Sequence, residues 1–464
     1  MKHLLIVLLF PVLCAAQQNA GMPLIKDVAT HLFYQYTTSD TSSFYEFQKK
    51  SEGWFIRLYK SDGTYSPPEL FWDKNAQRYL PLDFELQNHP DSATVAETFA
   101  RYVRHYRLVP LDITFYNRNL FYGYTGWEWD VITTLEKNPP TSDSLRESLA
   151  AAYDMYSGGF IVAIPGMFFQ NDDPDRTPMS ENRPFPPSRL HKVLAYQEKA
   201  WALFREIAAS DPNYQSPWYD IRWRINSELM FARATLTVLE CDSLAATVLQ
   251  QVSFPDPVLQ KARKTTRLIK PNSIVFADGD TAAFPIQYLQ TKGERQDLVV
   301  IESSSFMLQR AAAYLDRKYH GTLFTAKPAA YLDSSFSVAF WQTDEHHPEE
   351  HRLDSFVLSV YASPDAQGLP QIDSSFGRAY RYFSQHPFIT IDPRKAKSFY
   401  PTATIPARIS FTLPGYMLYS DVIKLDIVQK NLFTRHIYFT HPSENPIFEP
   451  WCVKVAEGLW EFIP

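Results

Sequence analysis

The sequence predicts a multidomain protein of mixed α and β class, built from three successive regions. Short aromatic and β-branched runs over residues 17–93 indicate a small antiparallel β region. Helical periodicity over 94–265 indicates a helical middle, and alternation of apolar strands with helices over 266–464 indicates a C-terminal α/β domain with a mainly parallel sheet. The chain has 464 residues, which is enough for about three domains.

Composition excludes several classes of protein. Apolar residues make up 45% and charged residues 21%, so the chain can bury a core and is not a disordered protein. Aromatic residues reach 15%, with 34 prolines against 15 glycines, which favours tight packing between proline-bounded loops. The formal net charge is −6 and no basic block is present, so nucleic acid is not an expected partner.

The N-terminus has the pattern of a cleavable signal peptide over residues 1–16. Lys2 and His3 precede ten largely apolar residues, and Ala16 ends a short stretch of small residues before Gln17. Cys14 does not follow a small residue, which disfavours lipidation. No later segment is long and apolar enough to cross a bilayer. We therefore expect an exported protein, soluble in the periplasm or at the cell surface after cleavage near Ala16.

After removal of the predicted signal peptide, two cysteines remain. Cys241 and Cys452 either form one long-range disulfide or stay as free thiols. The helical pattern around Cys241 favours free thiols, because a free cysteine packs like a small apolar residue.

In the N-terminal region, runs at 31–36, 44–47 and 54–59 predict strands of a β meander, with a turn at Ser61-Asp62-Gly63. Aromatic residues on such a sheet suit carbohydrate stacking. They are also an ordinary source of cross-strand packing, and packing is favoured here.

The middle region predicts helices at 127–135, 144–156, 190–209 and 217–239, and an acidic, proline-rich loop over 171–187. That loop lacks the ligand spacing of a helix-loop-helix calcium site. Part of the region resembles tetratricopeptide repeats of 34-residue type. The matching positions are, in order, Ala200, Phe204, Pro212, Trp218, Ile221, Ala234 and Cys241. Arg222 and Ile225 depart from the repeat and no turn is evident near Met230, so an ordinary helical domain remains an equal alternative.

The C-terminal region predicts strands at 273–277, 297–302, 408–412 and 436–440, and a last strand at 459–463 that pairs within the sheet. The helices between them are predicted at 281–290, 306–319 and 420–429. This alternation implies parallel strands joined by right-handed crossovers.

Three ordered blocks in this region carry a family resemblance. The blocks comprise Asp278-Gly279-Asp280-Thr281, Phe284-Pro285, Tyr288-Leu289-Gln290, Gly293, Arg295 and Asp297; then Leu425-Asp426-Ile427, Asn431, Arg435 and Ile437-Tyr438-Phe439; then Glu457-Gly458-Leu459 and Pro464. Together they resemble the soluble C-terminal portion of multi-span bacterial membrane proteins of the protein O-mannosyltransferase-like class. His436 stands where that family has Pro, and the family's membrane half has no counterpart here. The resemblance therefore implies a shared extracytoplasmic α/β module, and it transfers no catalytic residue.

Four side chains are candidates for ligand binding, because ligands of parallel α/β sheets bind beyond the carboxyl ends of the strands. They are Asp278, Asp280, Glu302 and Ser303. The two aspartates suit a cation or sugar hydroxyls. The favoured alternative is structural, with Asp280 capping a helix and Asp278 bracing the turn. Acids at a helix start repel phosphate, and no glycine-rich phosphate loop is present.

The densest set of metal-competent side chains includes His346, His347 and His351. Pro348 interrupts the helical spacing that would bring two imidazoles together, so a charged exposed loop is favoured, and no metal or cofactor is predicted. The sequence thus predicts an exported binding or assembly factor of the cell envelope whose partner is an envelope protein, a peptide segment or a glycan. The alternative is a glycan-active enzyme that uses Asp278 and Asp280 as carboxylates.

Overall fold

The structure, a computed structural model, is mixed α/β and multidomain. It describes residues 22–36, 44–60, 66–85, 87–105, 127–158, 160, 186–216, 220–302, 310–325, 341–344, 350–355, 357, 372–373, 379–384, 386–414, 416–417 and 419–464. The predicted signal peptide, the turn at 61–63, the acidic loop up to residue 185, Ser303, His346 and His347 lie outside these residues. The described residues form two compact units, one ending at Tyr156 and the other starting at Ser157.

The first unit joins helices to a four-stranded antiparallel sheet. Its strands pair in the order β1 (Phe44–Lys50), β2 (Gly53–Tyr59), β3 (Glu69–Asp73) and β4 (Arg78–Tyr79). Its helices are α1 (Ile25–Gln35), α2 (Ser92–His105), α3 (Trp127–Lys137) and α4 (Asp143–Gly158), the last of which runs across the boundary between the units.

The strand predicted at 31–36 is wrong, because these residues end helix α1. Val28, Ala29, Leu32 and Phe33 recur at helical spacing and are all buried. The aromatic residues after position 31 have high strand propensity, which favoured the wrong prediction. The apolar face of helix α1 starts before residue 31. The strands predicted at 44–47 and 54–59 are confirmed as parts of β1 and β2.

Aromatic side chains of this sheet pack inward. Tyr45, Phe47, Trp54, Phe71 and Trp72 are all buried. Such rings stabilise the sheet through the contacts they make with its neighbours. The buried aromatic residues of β1 to β3 therefore serve packing and present no stacking surface for a carbohydrate.

The second unit begins with helices and continues as an α/β sheet with two smaller sheets. Its helices are α5 (Pro187–Ser210), α6 (Ile221–Val238), α7 (Asp242–Leu249), α8 (Asp256–Arg267), α9 (Asp280–Thr291), α10 (Arg310–Lys318), α11 (Pro393–Phe399) and α12 (Tyr419–Asn431). Its strands are β5 (Ile274–Ala277), β6 (Val299–Glu302), β7 (Trp341–Asp344), β8 (Glu350–Arg352), β9 (Ile372–Asp373), β10 (Ala379–Ser384), β11 (His386–Thr390), β12 (Arg408–Ser410), β13 (Tyr416–Met417), β14 (Ile437–Phe439), β15 (Cys452–Ala456) and β16 (Leu459–Phe462).

The largest sheet has five strands in the order β15-β16-β14-β5-β6. Strands β14, β5 and β6 are parallel, as the alternation of strands and helices predicts. Strand β16 pairs antiparallel with β14, and β15 pairs antiparallel with β16. The predicted pairing of the last strand within the sheet is confirmed, and β16 lies between β14 and β15. The two smaller sheets have the orders β13-β7-β10-β9 and β12-β11-β8. The strand predicted at 408–412 exists as β12, but it pairs antiparallel with β11 in a smaller sheet and does not join the parallel strands.

Each face of the five-stranded sheet has its own core. Phe276 and Ile301 face helices α10 and α12, whereas Val275 and Val300 face helices α6 and α9. This alternation follows from the two-residue period of a strand. Helix α6, part of the region predicted as a helical middle, therefore shares a core with the sheet.

Helix α6 runs without a break from Ile221 to Val238. A tetratricopeptide hairpin would turn near Met230, which is buried inside this single helix.

Cys241 and Cys452 are free thiols and both are partly buried. Among the described residues, no helix combines the length and apolar character that crossing a bilayer requires.

Candidate functional site

The turn between β5 and α9 carries the two aspartates that the sequence singles out. Gly279 separates them and has a φ of 80°, in the region that favours glycine. Gly279 is the N-cap of α9 and Asp280 is the first residue of the helix, so the prediction that Asp280 is the cap is wrong by one position. The backbone thus bends sharply between the two carboxylates, and each takes its own direction.

Asp278 belongs to a buried ion-pair network. Its side chain accepts a hydrogen bond from the amide nitrogen of Asn445, and its Oδ1 lies 3.7 Å from Nζ of Lys424. Lys424 also donates to the amide oxygen of Asn445, so the three groups satisfy one another. Asp278, Lys424 and Asn445 are only 6%, 4% and 3% exposed. Removing one partner of such a buried pair is costly, because it leaves an uncompensated charge in the interior.

A hydrogen bond from the backbone of Asp278 also holds this turn. The backbone N–H of Asp278 donates to Oγ1 of Thr440, at 3.0 Å, and Thr440 is itself buried. Thr440 directly follows β14, so this bond joins the ends of two neighbouring parallel strands. Because the donor is a backbone N–H, this bond does not depend on the side chain of Asp278.

Asp280 is engaged on the other side of the sheet. Its Oδ2 accepts a hydrogen bond from the hydroxyl of Ser227 in α6, and its Oδ1 accepts the N–H of Thr281 at 3.0 Å. An acid in the first turn also interacts favourably with the helix dipole. These contacts link α9 to α6 and account for the acid at this position.

The partners of the two aspartates lie on opposite faces of the sheet. Lys424 belongs to α12, which packs on the face of Phe276, and Ser227 belongs to α6, which packs on the face of Val275. Carboxylates that act as a glycosidase pair must face each other across the scissile bond, about 5–9.5 Å apart. Asp278 and Asp280 do not have this arrangement.

Glu302, the third predicted residue, is placed differently from the aspartates. It ends β6, pairs with Ala277 of β5 and is 5% exposed. Unlike either aspartate, it lines a cavity beside β6. The structure therefore does not bring the described candidate residues together in one site.

The cavity has a volume of about 400 Å³ and lies along β6, between helices α6, α9 and α10. In the described part of the chain, β6 is an outer strand of the five-stranded sheet. Side chains that line it include Arg233, Thr237, Gln287, Gln290, Thr291, Gln296, Glu302, Tyr314, Lys318 and Tyr319. Its size is within the range of small-molecule sites, which is about 300–1,000 Å³.

Two cations share this cavity. Arg233 comes from α6 and Lys318 from the last turn of α10, and neither forms an ion pair with a carboxylate of the described residues. The ammonium of Lys318 lies 5.7 Å from the ring centroid of Tyr314 and 5.3 Å from that of Tyr319. These contacts place the positive charge of Lys318 against aromatic rings while part of its side chain remains exposed.

Electrostatics in the cavity reflect this unbalanced charge. Burial lowers the pKa of Arg233, and burial together with the nearby charge of Arg233 lowers the pKa of Lys318. Burial also raises the pKa of Tyr319 to about 12, so its phenol stays protonated and able to donate. All three directions follow from removing these groups from water and from holding two like charges close together.

Sequence reasoning missed Arg233 and Lys318. The available signal was weak: Tyr314 and Lys318 are four residues apart, which places them on one face of α10.

Among the described residues, no group of three or more histidine, cysteine or acidic side chains is arranged to hold a metal ion, and His351 is exposed in β8.

Comparison with protein-family models, with curated proteins and with solved structures gave no match to this chain. The resemblance to the protein O-mannosyltransferase-like class therefore stays a prediction from the sequence blocks alone.

Proposed function

We propose that this chain is an exported binding or assembly factor of the cell envelope, which captures a partner and does not turn over a glycan. The observation that carries the proposal is the divergence of Asp278 and Asp280 toward opposite faces of the sheet. The enzyme alternative relied on these two carboxylates, and their arrangement does not suit paired acid and base chemistry.

The environment of Asp278 supports the same proposal. A general acid at neutral pH needs a raised pKa and access to its substrate. Asp278 is instead 6% exposed and held between Lys424 and Asn445, so a substrate has little access to its carboxylate. Its role is therefore to hold the turn that joins β5 to α9.

The proposed partner is an envelope protein or a peptide segment, with a glycan as the alternative ligand. The reasons are the signal-peptide pattern of residues 1–16 and the resemblance of the C-terminal region to an extracytoplasmic module. N-terminal sequencing of the protein from an envelope fraction tests the export step. A mature protein starting at Gln17 is expected, and retention of residues 1–16 would contradict export.

Binding and turnover are separated by comparing the full chain with its Asp280→Asn variant and with Asp256→Asn, a control at the exposed start of α8. Each protein is assayed for hydrolysis and transfer of envelope glycans and, after cross-linking in cells, for captured partners. We expect no turnover by any of the three and the same captured partner for all of them. Turnover by the wild type and by Asp256→Asn, but not by folded Asp280→Asn, would establish the enzyme alternative.

A further inference from the structure

We propose that the cavity beside β6 binds a small organic anion, a carboxylate or phosphate carried on a hydroxylated body, through Arg233 and Lys318. This inference goes beyond the proposed function, because it concerns a small ligand in a cavity and does not depend on capture of an envelope partner. The charges that line the cavity do not balance. Two cations line the cavity, and Glu302 is the carboxylate among the described lining residues.

An anion would correct that mismatch. Arg233 is partly buried, and a charge in such a position is costly without a counter-ion, whereas Lys318 is exposed and adds a second positive charge. Arg233 and Lys318 come from different helices and meet at the same cavity without an ion-pair partner among the described residues. A guanidinium binds carboxylate or phosphate through two parallel N–H bonds, and an ammonium adds a point charge beside it.

The remaining walls indicate a hydroxylated ligand of small-molecule size. Side-chain amides of Gln287 and Gln296 and the hydroxyls of Thr237 and Thr291 line the same space. Gln287 has no hydrogen-bond partner within the described residues, so both ends of its amide can serve a ligand. Tyrosine rings beside the cations add flat apolar surface, and the volume of about 400 Å³ sets the size.

Isothermal titration calorimetry on the full chain tests this inference with four probes. Glucuronate carries a carboxylate, glucose 6-phosphate carries a phosphate, inorganic phosphate lacks the hydroxylated body, and glucose lacks the charge. We expect saturable binding of glucuronate or glucose 6-phosphate, weaker binding of inorganic phosphate, and none of glucose. The two charged sugars distinguish a carboxylate ligand from a phosphate ligand.

Three methionine variants assign the binding to the cavity. Arg233→Met and Lys318→Met remove one charge each and keep an apolar stem, and we expect each to weaken binding by about tenfold or more. Arg317→Met is the matched control, because Arg317 is the neighbouring cation of α10 and pairs with Glu240 outside the cavity. It should change the affinity by less than about twofold.

The result that overturns the inference is an absence of saturable binding of every charged probe to the wild type, or equal binding by the wild type and both cavity variants. If Arg233→Met does not fold, the exposed Lys318→Met variant decides the outcome.

A second readout is the melting temperature of the wild type. It should rise when the probe is added, because the probe binds the folded state. Arg233→Lys keeps the charge and should restore part of that rise.

Discussion

Two regions of the second unit hold charged side chains in opposite ways. In the network of Asp278, Lys424 and Asn445, each charged or polar group faces a partner, and the side chains are almost fully buried. In the cavity beside β6, Arg233 and Lys318 share space without an ion-pair partner among the described residues. In the first region the partners satisfy one another and join parts of the fold, whereas the two cations of the second line a cavity and are the basis of the proposed anion site.

The largest expected effect comes from removing the last strand of the five-stranded sheet that carries both regions. Truncation after Gly458 deletes β16, which pairs with both β14 and β15 and carries the buried Phe462, 1% exposed. Loss of a buried large aromatic alone costs about 3–5 kcal/mol, and the deletion also exposes a new sheet edge. We expect insoluble or protease-sensitive protein, measured by solubility and limited proteolysis. A truncated chain that melts like the full one would contradict the pairing of β16.

The next effect isolates the satisfied network. Lys424→Met leaves the buried carboxylate of Asp278 without its cation and should lower the free energy of unfolding by about 3–5 kcal/mol. Adding Asp278→Asn removes the uncompensated charge and should recover part of that loss. Urea unfolding of the two variants measures both values.

The exposed Arg317→Met is again the control, because the ion pair of Arg317 with Glu240 lies at the surface. Such pairs contribute about 0–1 kcal/mol. If Lys424→Met were no more destabilising than this control, the network would not have the structural role assigned to it.

A smaller effect is expected for the joint between α6 and α9. Ser227→Ala removes the hydroxyl that donates to Asp280 and should lower the free energy of unfolding by about 1–2 kcal/mol. The double variant with Asp280→Asn should be less destabilised than the sum of the two single variants, because both remove the same bond. Strict additivity in urea unfolding would show that Ser227 and Asp280 act independently.

Sequence patterns predicted the parts of the fold that depend on local periodicity. The strand-helix-strand run of β5, α9 and β6 and the final strand β16 are as expected, because their apolar and turn residues follow simple spacing. Helix α1 was missed because its aromatic end has high strand propensity, and packing of its apolar face overrides that propensity.

The candidate site was predictable only in part. The strand-end position of Asp278, Asp280 and Glu302 follows from the α/β pattern. Which face each carboxylate takes depends on the turn at Gly279 and on helices distant in the chain. Arg233 and Lys318 lie far apart in sequence, and only the packing of α6 and α10 beside β6 brings them to one cavity.

The smallest expected effect concerns His436, whose surroundings are intermediate between the two regions compared above. Its Nδ1 lies 2.7 Å from a carboxylate oxygen of Glu461 and 3.4 Å from Nζ of Lys270, and its ring packs against Phe399 and Tyr400. Burial lowers the pKa of His436, and the charge of Lys270 lowers it further, whereas Glu461 opposes the shift. Here a cation and an anion compete for one imidazole.

The sign of the pH dependence follows from that lowered pKa. The unfolded chain takes up the proton first as the pH falls below about 6.5, the ordinary histidine value. The free energy of unfolding should therefore fall as the pH drops from about 7 toward the folded-state pKa of His436, and the contribution of this group is constant below it. We expect His436→Gln to lose this slope. His191→Gln, at an exposed position of α5, is the control and should keep the slope. Urea unfolding between about pH 5 and 8 measures it, and a slope that survives in His436→Gln would assign the proton uptake to another group.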